Sequence, residues 1–165
     1  MIKNLLCLIV LLSITLTGFS QESNDYEKVK FGKIESSEFE TKSFGKDSSA
    51  AAIVLFDIGY LRFGINVKGK WTYVLERHRR IRVLSKEGSD YGNFEIPIYH
   101  DRNSEEKLNK VQIASYNVVN GKIVQNKAAK DEKFQDKYNE NYTNYKYTLS
   151  NVEAGTVLEI KYEIE

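Results

Sequence analysis

Apolar and polar residues alternate along most of this chain, and this pattern predicts β-strands. The alternation is regular over 61–67, 71–75, 145–149 and 158–164, and it returns at 81–83. Successive side chains of a strand point to opposite faces, so a period of two predicts sheets with one apolar and one polar face. With turn residues between these segments, we expect an all-β, mainly antiparallel β-sandwich with at most one or two short helices.

Turn signals predict how the strands connect. Asn120-Gly121 between two apolar segments predicts a two-residue hairpin. The 57–59 stretch, Asp-Ile-Gly, predicts a turn that divides 50–67 into a pair of strands. The polar stretch 151–155 predicts a second hairpin, which would join the last two alternating segments to each other.

Two features predict the edges of the sandwich. Pro97 cannot donate a ladder hydrogen bond, so its segment is predicted to be an edge strand or an extended loop. At the C-terminal end, the alternation that begins at Val157 continues to Glu165 without a stop signal. We therefore expect a sandwich that is incomplete at its C-terminus, with a last strand that lacks partners and a surface that favours association with other copies.

Helix signals are few. Ser37 and Glu40 have the spacing of a capping box, which predicts one short helix. In 127–138, Phe134 and Tyr138 are four residues apart, as on one face of a helix, but charged residues surround them. The pattern assigns this segment neither to a helix nor to a strand.

Arg77 and Arg79 interrupt the pattern of the strand that begins near residue 71. Both have the same parity as the apolar residues Leu75 and Ile81, so strict alternation would bury two charges. Isolated charges are not tolerated in an apolar core. We expect either a β-bulge at this point or a strand that runs past the core.

The first 20 residues have the organisation of a secretory signal peptide. Lys3 is the positive start, 5–16 is the apolar segment, and 18–20 is a small-residue cleavage pattern. The apolar segment is shorter than the roughly 20 residues that span a bilayer, so cleavage is favoured over a retained anchor. The mature chain is then a polar leader at 21–28 and one β-sandwich domain at 29–165, exported to the periplasm, the cell envelope or the medium.

Candidate catalytic and metal-binding residues are scarce. Cys7 is the only cysteine, and it leaves with the signal peptide, so the mature chain has no disulfide, thiolate ligand or thiol nucleophile. The two histidines, His78 and His100, lie in no catalytic or zinc-binding motif. The sequence therefore predicts no active site, no metal site and no cofactor.

The densest charge feature lies at 77–82. Overall charge is nearly balanced, with 24 Lys and Arg against 23 Asp and Glu, so no net field favours nucleic acid. Arginine forks suit bidentate contacts with the phosphate of a lipid or with an acidic glycan. The candidate anion contacts are Arg77, Arg79, Arg80 and Arg82. A solvated strand, offset by Glu76 and Glu87, is the favoured alternative.

Tyrosines and asparagines are interleaved near the C-terminal third of the chain. Tyr138, Asn141 and Tyr142 are candidates for sugar stacking and amide hydrogen bonds, as in carbohydrate-binding sandwiches. Tyr145 and Tyr147 have the parity of core residues and are predicted to line the core. Alternating tyrosine is also ordinary in strands, and this alternative is favoured over a glycan site.

Four segments, in this order, are similar to one known family: Ala50–Asp57, Ile81–Tyr91, Tyr116–Val124 and Asn151–Glu159. Through them the chain resembles domain of unknown function 3857, over roughly 29–165. The resemblance implies the N-terminal β-sandwich of envelope proteins of Gram-negative bacteria, which precedes a transglutaminase-like core with a papain fold. That core and its Cys-His-Asp constellation are absent here, and the family supplies no catalytic or binding residues to transfer.

The sequence thus predicts a non-catalytic, exported accessory or interaction domain that normally precedes a transglutaminase-like core. The alternative is an independent glycan-binding β-sandwich module. An enzyme in its own right is the least favoured hypothesis, because no nucleophile, metal set or paired acid and base is present. The expected partner is the downstream core of the intact protein, and we expect neither a nucleic-acid partner nor a transmembrane segment after signal cleavage.

Overall fold

The computed structural model describes residues 29–40, 49–128 and 133–165, and antiparallel strands dominate them. The strands are β1 (Ala52–Ile65), β2 (Trp71–Val83), β3 (Asn93–Tyr99), β4 (Leu108–Val119), β5 (Lys122–Lys127), β6 (Lys133–Lys137), β7 (Tyr142–Thr148) and β8 (Val157–Ile164). Two short 3-10 helices lie at Ser36–Phe39 and Lys86–Gly92. The predicted all-β class is confirmed.

The strands form two sheets that share one core. The five-stranded sheet has the order β1-β2-β8-β4-β5, and the three-stranded sheet has the order β3-β7-β6. Alternate residues of both sheets point inward, as the period of two predicts. The buried core residues are Ile81, Val83, Phe94, Ile96, Ile98, Ile113, Tyr147, Leu149, Leu158, Ile160, Tyr162 and Ile164. The arrangement is sandwich-like, and Tyr147 lines the core as predicted.

The hairpin at Asn120-Gly121 is confirmed. Val119 pairs with Lys122, so the loop between β4 and β5 has two residues. Both loop residues have positive φ, 51° for Asn120 and 74° for Gly121. Asparagine and glycine adopt this left-handed conformation most readily, which is why the dipeptide predicts the turn.

The predicted turn at 57–59 is wrong. β1 is one continuous strand, and Asp57 and Gly59 lie opposite Arg79 and Arg77 of β2. Backbone pairing along the whole of β2 overrides the local turn preference of three residues. The chain instead reverses at 66–70, where the Asn66 side chain accepts hydrogen bonds from the backbone N–H groups of Lys68 and Lys70.

The predicted second hairpin is also wrong. β7 pairs with β3 and β6, whereas β8 pairs with β2 and β4, so the last two strands belong to different sheets. The 149–156 connection crosses between the layers, and it is fixed by hydrogen bonds such as Leu149 N–H to the Gly92 carbonyl and Gly155 N–H to the Val83 carbonyl. The expectation that the last strand lacks partners is wrong for the same reason, since β8 is paired along both edges.

Other local expectations have mixed outcomes. Within the described part of the chain, β3 pairs only with β7, so Pro97 lies in an edge strand as predicted. The capping box exists, but Glu35 and Glu38 form it, not Ser37 and Glu40. The unassigned segment contains the end of β5 and the strand β6.

The predicted signal peptide and polar leader, residues 1–28, lie outside the described residues. No helix among the residues that are described is both long enough and apolar enough to cross a bilayer.

Candidate functional site

β2 presents arginines on both of its faces. It pairs with β8 in unbroken register from Leu75 to Arg82. Its pairing with β1 shifts between Val54 and Phe56, so the expected bulge lies in the partner strand β1, opposite Arg80 and Ile81, and does not turn Arg77 and Arg79 away from the side of Ile81. Arg77 and Arg79 therefore point to the same side as Ile81, at the margin of the core. Arg77 donates two hydrogen bonds to Asp57 of β1, at 2.8 Å and 2.6 Å. Since a hydrogen bond favours the charged forms, this pair raises the pKa of Arg77 and lowers that of Asp57.

The candidate anion contacts are consequently not brought together. Arg80 and Arg82 lie on the opposite face from Arg77 and Arg79. Both of these arginines have protein partners: Arg80 contacts carboxylates, and Arg82 donates to the Gly155 carbonyl at 3.1 Å. An anion would have to replace these contacts to reach the guanidinium groups of Arg77, Arg80 and Arg82, whereas Arg79 lies 3.7 Å from Asp57.

Glu159 of β8 is the centre of a buried polar cluster on that opposite face. It is fully buried, and the neighbouring strands place donors on both sides of it. Oε1 is 2.8 Å from His78 Nε2 and 2.5 Å from Arg80 Nη2. Oε2 accepts hydrogen bonds from the Tyr116 hydroxyl and the Gly32 backbone N–H, both at 2.9 Å. We call these residues, with Glu38, the Glu159 cluster.

The N-terminal segment 29–40 covers the Glu159 cluster. From its 3-10 helix, Glu38 accepts hydrogen bonds from Arg80 Nη1 through both carboxylate oxygens, at 2.7 Å and 2.8 Å. A small apolar cluster surrounds the contact. It consists of Ala114, Tyr116 and Val157 from the sheet with Phe31, Ile34, Phe39 and Leu55 packed against them. The segment is thus fastened by both polar and apolar contacts.

Aromatic rings complete the cover. Phe56 lies edge-on to His78 at a centroid distance of 4.9 Å, and the Arg80 guanidinium carbon is 5.0 Å from the centroid of the same ring. Gln125 donates to the Tyr116 hydroxyl at 2.8 Å. With His78 1% exposed and Glu159 fully buried, neither group can reach a substrate in solution.

The electrostatics keep Glu159 ionised. Burial by itself would raise its pKa, but hydrogen bonds from His78, Arg80 and the Gly32 N–H favour the charged form and hold the pKa below its ordinary value of 4.5. The pKa of Tyr116 is raised, first by burial and then by the adjacent carboxylate. An ionised carboxylate accepts hydrogen bonds and donates none, so His78 Nε2 carries the hydrogen in its contact with Glu159.

These pKa directions predict acid destabilisation. Glu159 and Glu163 have folded pKa values below their ordinary value of 4.5, so their contribution is complete above that pH and disappears as the pH falls through the folded values. We expect the free energy of unfolding to fall progressively as the pH is lowered from about 5 through the folded pKa values. Urea midpoints measured across this range check the slope, and Glu159→Gln should flatten it. An unchanged midpoint in the parent chain would contradict the assignment.

Tyr138 and Tyr142 line one open cleft of about 410 Å³, as the glycan interpretation requires. Glu95, Pro97, Asn139 and Asn144 complete its lining. Asn141 is not among the lining residues, because its side chain donates to the His100 carbonyl at 3.1 Å. The asparagines that line the cleft are instead Asn139 and Asn144, which lie close to Asn141 in the sequence. Nowhere in the described ranges do three or more His, Cys, Asp or Glu side chains form a group that could hold a metal ion.

Sequence reasoning did not find the Glu159 cluster. Glu159, Tyr116 and Glu38 come from three distant segments and belong to no motif. The available signal was parity, because His78 and Arg80 lie on the polar side of β2 and Glu159 lies on the polar side of β8. A partly buried polar side is compatible with that pattern, but the pattern does not show what covers it.

Comparisons with known proteins identify no family. No family model matches the chain, and no curated protein matches it. Among solved structures, the chain is similar to a "putative protease" from Parabacteroides distasonis ATCC 8503, with 12% sequence identity and a TM-score of 0.46. The alignment covers 62% of this chain and 21% of that chain. At this level of likeness, the comparison carries no argument about function, and the resemblance to domain of unknown function 3857 stays a prediction.

Proposed function

We propose that this chain is a non-catalytic, exported interaction domain that precedes a transglutaminase-like core in its intact protein. The observation that carries the interaction role is an apolar surface at the end of the β1–β2 hairpin. We call it the hairpin surface, and its residues are Leu61, Phe63, Ile65, Val67 and Trp71. Four of them are strongly exposed: Ile65 64%, Phe63 73%, Trp71 79% and Val67 104%.

The hairpin surface continues the core-facing side of the five-stranded sheet. Phe63 lies opposite Tyr73 and Ile65 lies opposite Trp71, on the same side as the partly buried Leu75. β8 pairs with β2 only from Leu75 onward, so four residues of β2 extend beyond it, by roughly 13 Å at about 3.3 Å per residue. A contiguous apolar patch larger than a few hundred Å² is typical of an interaction site.

The Glu159 cluster supports a non-catalytic role. Its carboxylate accepts four hydrogen bonds from the protein, and its histidine is buried under segment 29–40. A general acid or base must come within hydrogen-bond reach of its substrate, and a nucleophile must be open to attack. The titratable groups of the cluster instead satisfy one another inside the fold.

The test of the accessory role is the coding sequence downstream of Glu165. We expect a continuing frame that encodes a Cys-His-Asp core, with hydrolase or transferase turnover that is abolished by replacing the core cysteine. The purified 21–165 chain should have no turnover on the same peptide and ester substrates. A stop codon at this point would contradict the accessory role, and turnover by the short chain would contradict the non-catalytic one.

A glycan-binding module is the second candidate, and the tyrosine cleft is the observation that favours it. Tyr138 is 71% exposed and Tyr142 is 38% exposed. The Tyr142 ring contacts the Tyr99 ring at a centroid distance of 5.4 Å, so Tyr138 is the more open of the two to a sugar. If this function is correct, Tyr138→Ala should weaken binding of N-acetylglucosamine oligosaccharides at least tenfold by calorimetry, equivalent to about 1.4 kcal/mol. Tyr91→Ala, which removes a 44% exposed tyrosine outside the cleft, should leave binding unchanged. Equal losses for both variants, or no binding by the parent chain, would exclude this candidate.

A further inference from the structure

We propose that the hairpin surface binds the same surface of a second copy of this chain, around a two-fold axis. The inference rests on the proposed interaction role and names its partner. In a two-fold interface the same patch is used by both subunits, so the surface must be complementary to itself in area, shape and charge.

The area of the hairpin surface suits a dimer. Phe63 and Trp71 are more than two-thirds exposed, and aromatic side chains of this size bury about 150–250 Å² each when covered. The three aliphatic neighbours, Leu61, Ile65 and Val67, are at least half exposed. Together these side chains approach the roughly 800 Å² per partner that a standard interface buries.

The border of the surface carries both signs of charge. Lys68 and Lys70 lie in the turn of the hairpin, and Glu105 lies in the loop that faces it. A two-fold axis through the apolar patch would bring the lysines of one copy towards Glu105 of the other, twice over. This arrangement of charge is self-complementary, as a symmetric interface requires.

The shape of this region also leaves room for a partner. A cavity of about 720 Å³ lies between the turn and the 103–107 loop, and it is lined by Val67, Trp71 and Tyr73 among others. The turn of the second copy can enter this space with its exposed Val67. An anionic membrane is less suited to the same surface, because the lysines that line the cavity are matched by an equal number of glutamates and leave no net positive charge for anionic headgroups. These residues are Lys68, Lys70 and Lys107, and Glu105, Glu106 and Glu165.

Analytical ultracentrifugation of the exported chain over a concentration series tests the inference. We expect a monomer–dimer equilibrium that the double variant Phe63→Ser with Trp71→Ser weakens at least 100-fold. Both side chains are exposed, so circular dichroism should show an unchanged fold. Phe134→Ser, which removes a 61% exposed phenylalanine from β6 of the other sheet, is the matched control and should leave dimerisation unchanged.

A charge exchange tests the two-fold geometry. Lys68→Glu and Glu105→Lys should each weaken dimerisation at least tenfold, because each places like charges opposite one another at both contacts. A mixture of the two single variants, or the chain carrying both changes, should restore dimerisation because opposite charges then meet again. Weakening without this rescue would overturn the proposed pairing.

Two further outcomes would overturn the second copy as the partner. One is a monomer at every concentration, and the other is binding of the chain to phosphatidylglycerol vesicles without self-association. If either outcome is found, hydrogen exchange at the hairpin surface, compared between the intact, longer protein and the short chain, separates this inference from the proposed function. Protection of the hairpin surface in the intact, longer protein would preserve the interaction role with a different partner, whereas exchange equal to that of the short chain would contradict both.

Discussion

Glu159→Gln is expected to lower the free energy of unfolding by about 3–5 kcal/mol, the usual cost of breaking a buried ion pair by removing one partner. The carboxylate offers acceptors to His78, Arg80, Tyr116 and the Gly32 N–H. The glutamine amide has an NH2 group where the carboxylate has one of its oxygens. In either orientation of the amide, this NH2 group therefore points towards groups that are themselves hydrogen-bond donors. Arg80 then stays buried with only Glu38 as its charged partner.

Glu163→Gln is the matched control for this experiment. Glu163 lies four residues further along β8, on the same face, and it pairs with Lys110 and Arg62. The side chains of Lys110 and Arg62 are 73% and 46% exposed. Water can therefore solvate these two cations when the carboxylate is removed. We expect a loss of about 1 kcal/mol or less from urea unfolding. Equal losses for the two variants would contradict a special role for Glu159.

Gly88→Ala is expected to destabilise the fold by about 1–3 kcal/mol through overpacking. Gly88 is buried in the 3-10 helix that precedes β3. A Cβ atom there would lie 2.3 Å from the Ala51 carbonyl oxygen and 3.1 Å from a Val83 methyl group. The same oxygen accepts hydrogen bonds from the Leu84 and Ser85 N–H groups, so the backbone cannot move without straining the start of β1.

Gly59→Ala provides the contrast. Gly59 lies in the middle of β1, and a Cβ atom at this position has no neighbour within 4 Å. The substitution should be neutral or slightly stabilising, because alanine restricts the unfolded chain more than glycine does. Thermal denaturation of both variants gives the comparison. A Gly88→Ala midpoint equal to that of Gly59→Ala would show that the contact at Ala51 relaxes without cost.

Alternation in the sequence predicted the faces of the strands better than their partners. It correctly predicted that Tyr147 lies in the core with Tyr145 packed against it, and Asn120-Gly121 correctly predicted the hairpin of β4 and β5. It could not show that β7 and β8 lie in different sheets, because a period of two assigns side chains to faces and leaves pairing open. The order β2-β8-β4 depends on contacts between strands far apart in the sequence.

The candidate site was less predictable. The alternation of apolar and polar residues correctly places His78, Arg80 and Glu159 on the polar side of their strands. Polar residues in strands usually face water, but here segment 29–40 covers that side of the sheet. The cover depends on Phe31 and Glu38, whose partners lie more than 40 positions away. No local pattern reports a contact of that range.

Hydrogen exchange at the Gly32 amide tests most directly whether the Glu159 cluster has a structural role and fastens segment 29–40 to the sheet. In the parent chain this N–H donates to Glu159 Oε2, so we predict slow exchange at this amide. In Glu159→Gln the amide should exchange much faster, while the Leu158 amide in the central strand keeps most of its protection under conditions where both chains stay folded. Fast exchange at Gly32 in the parent chain, or equal protection in the two chains, would contradict the structural role of the cluster.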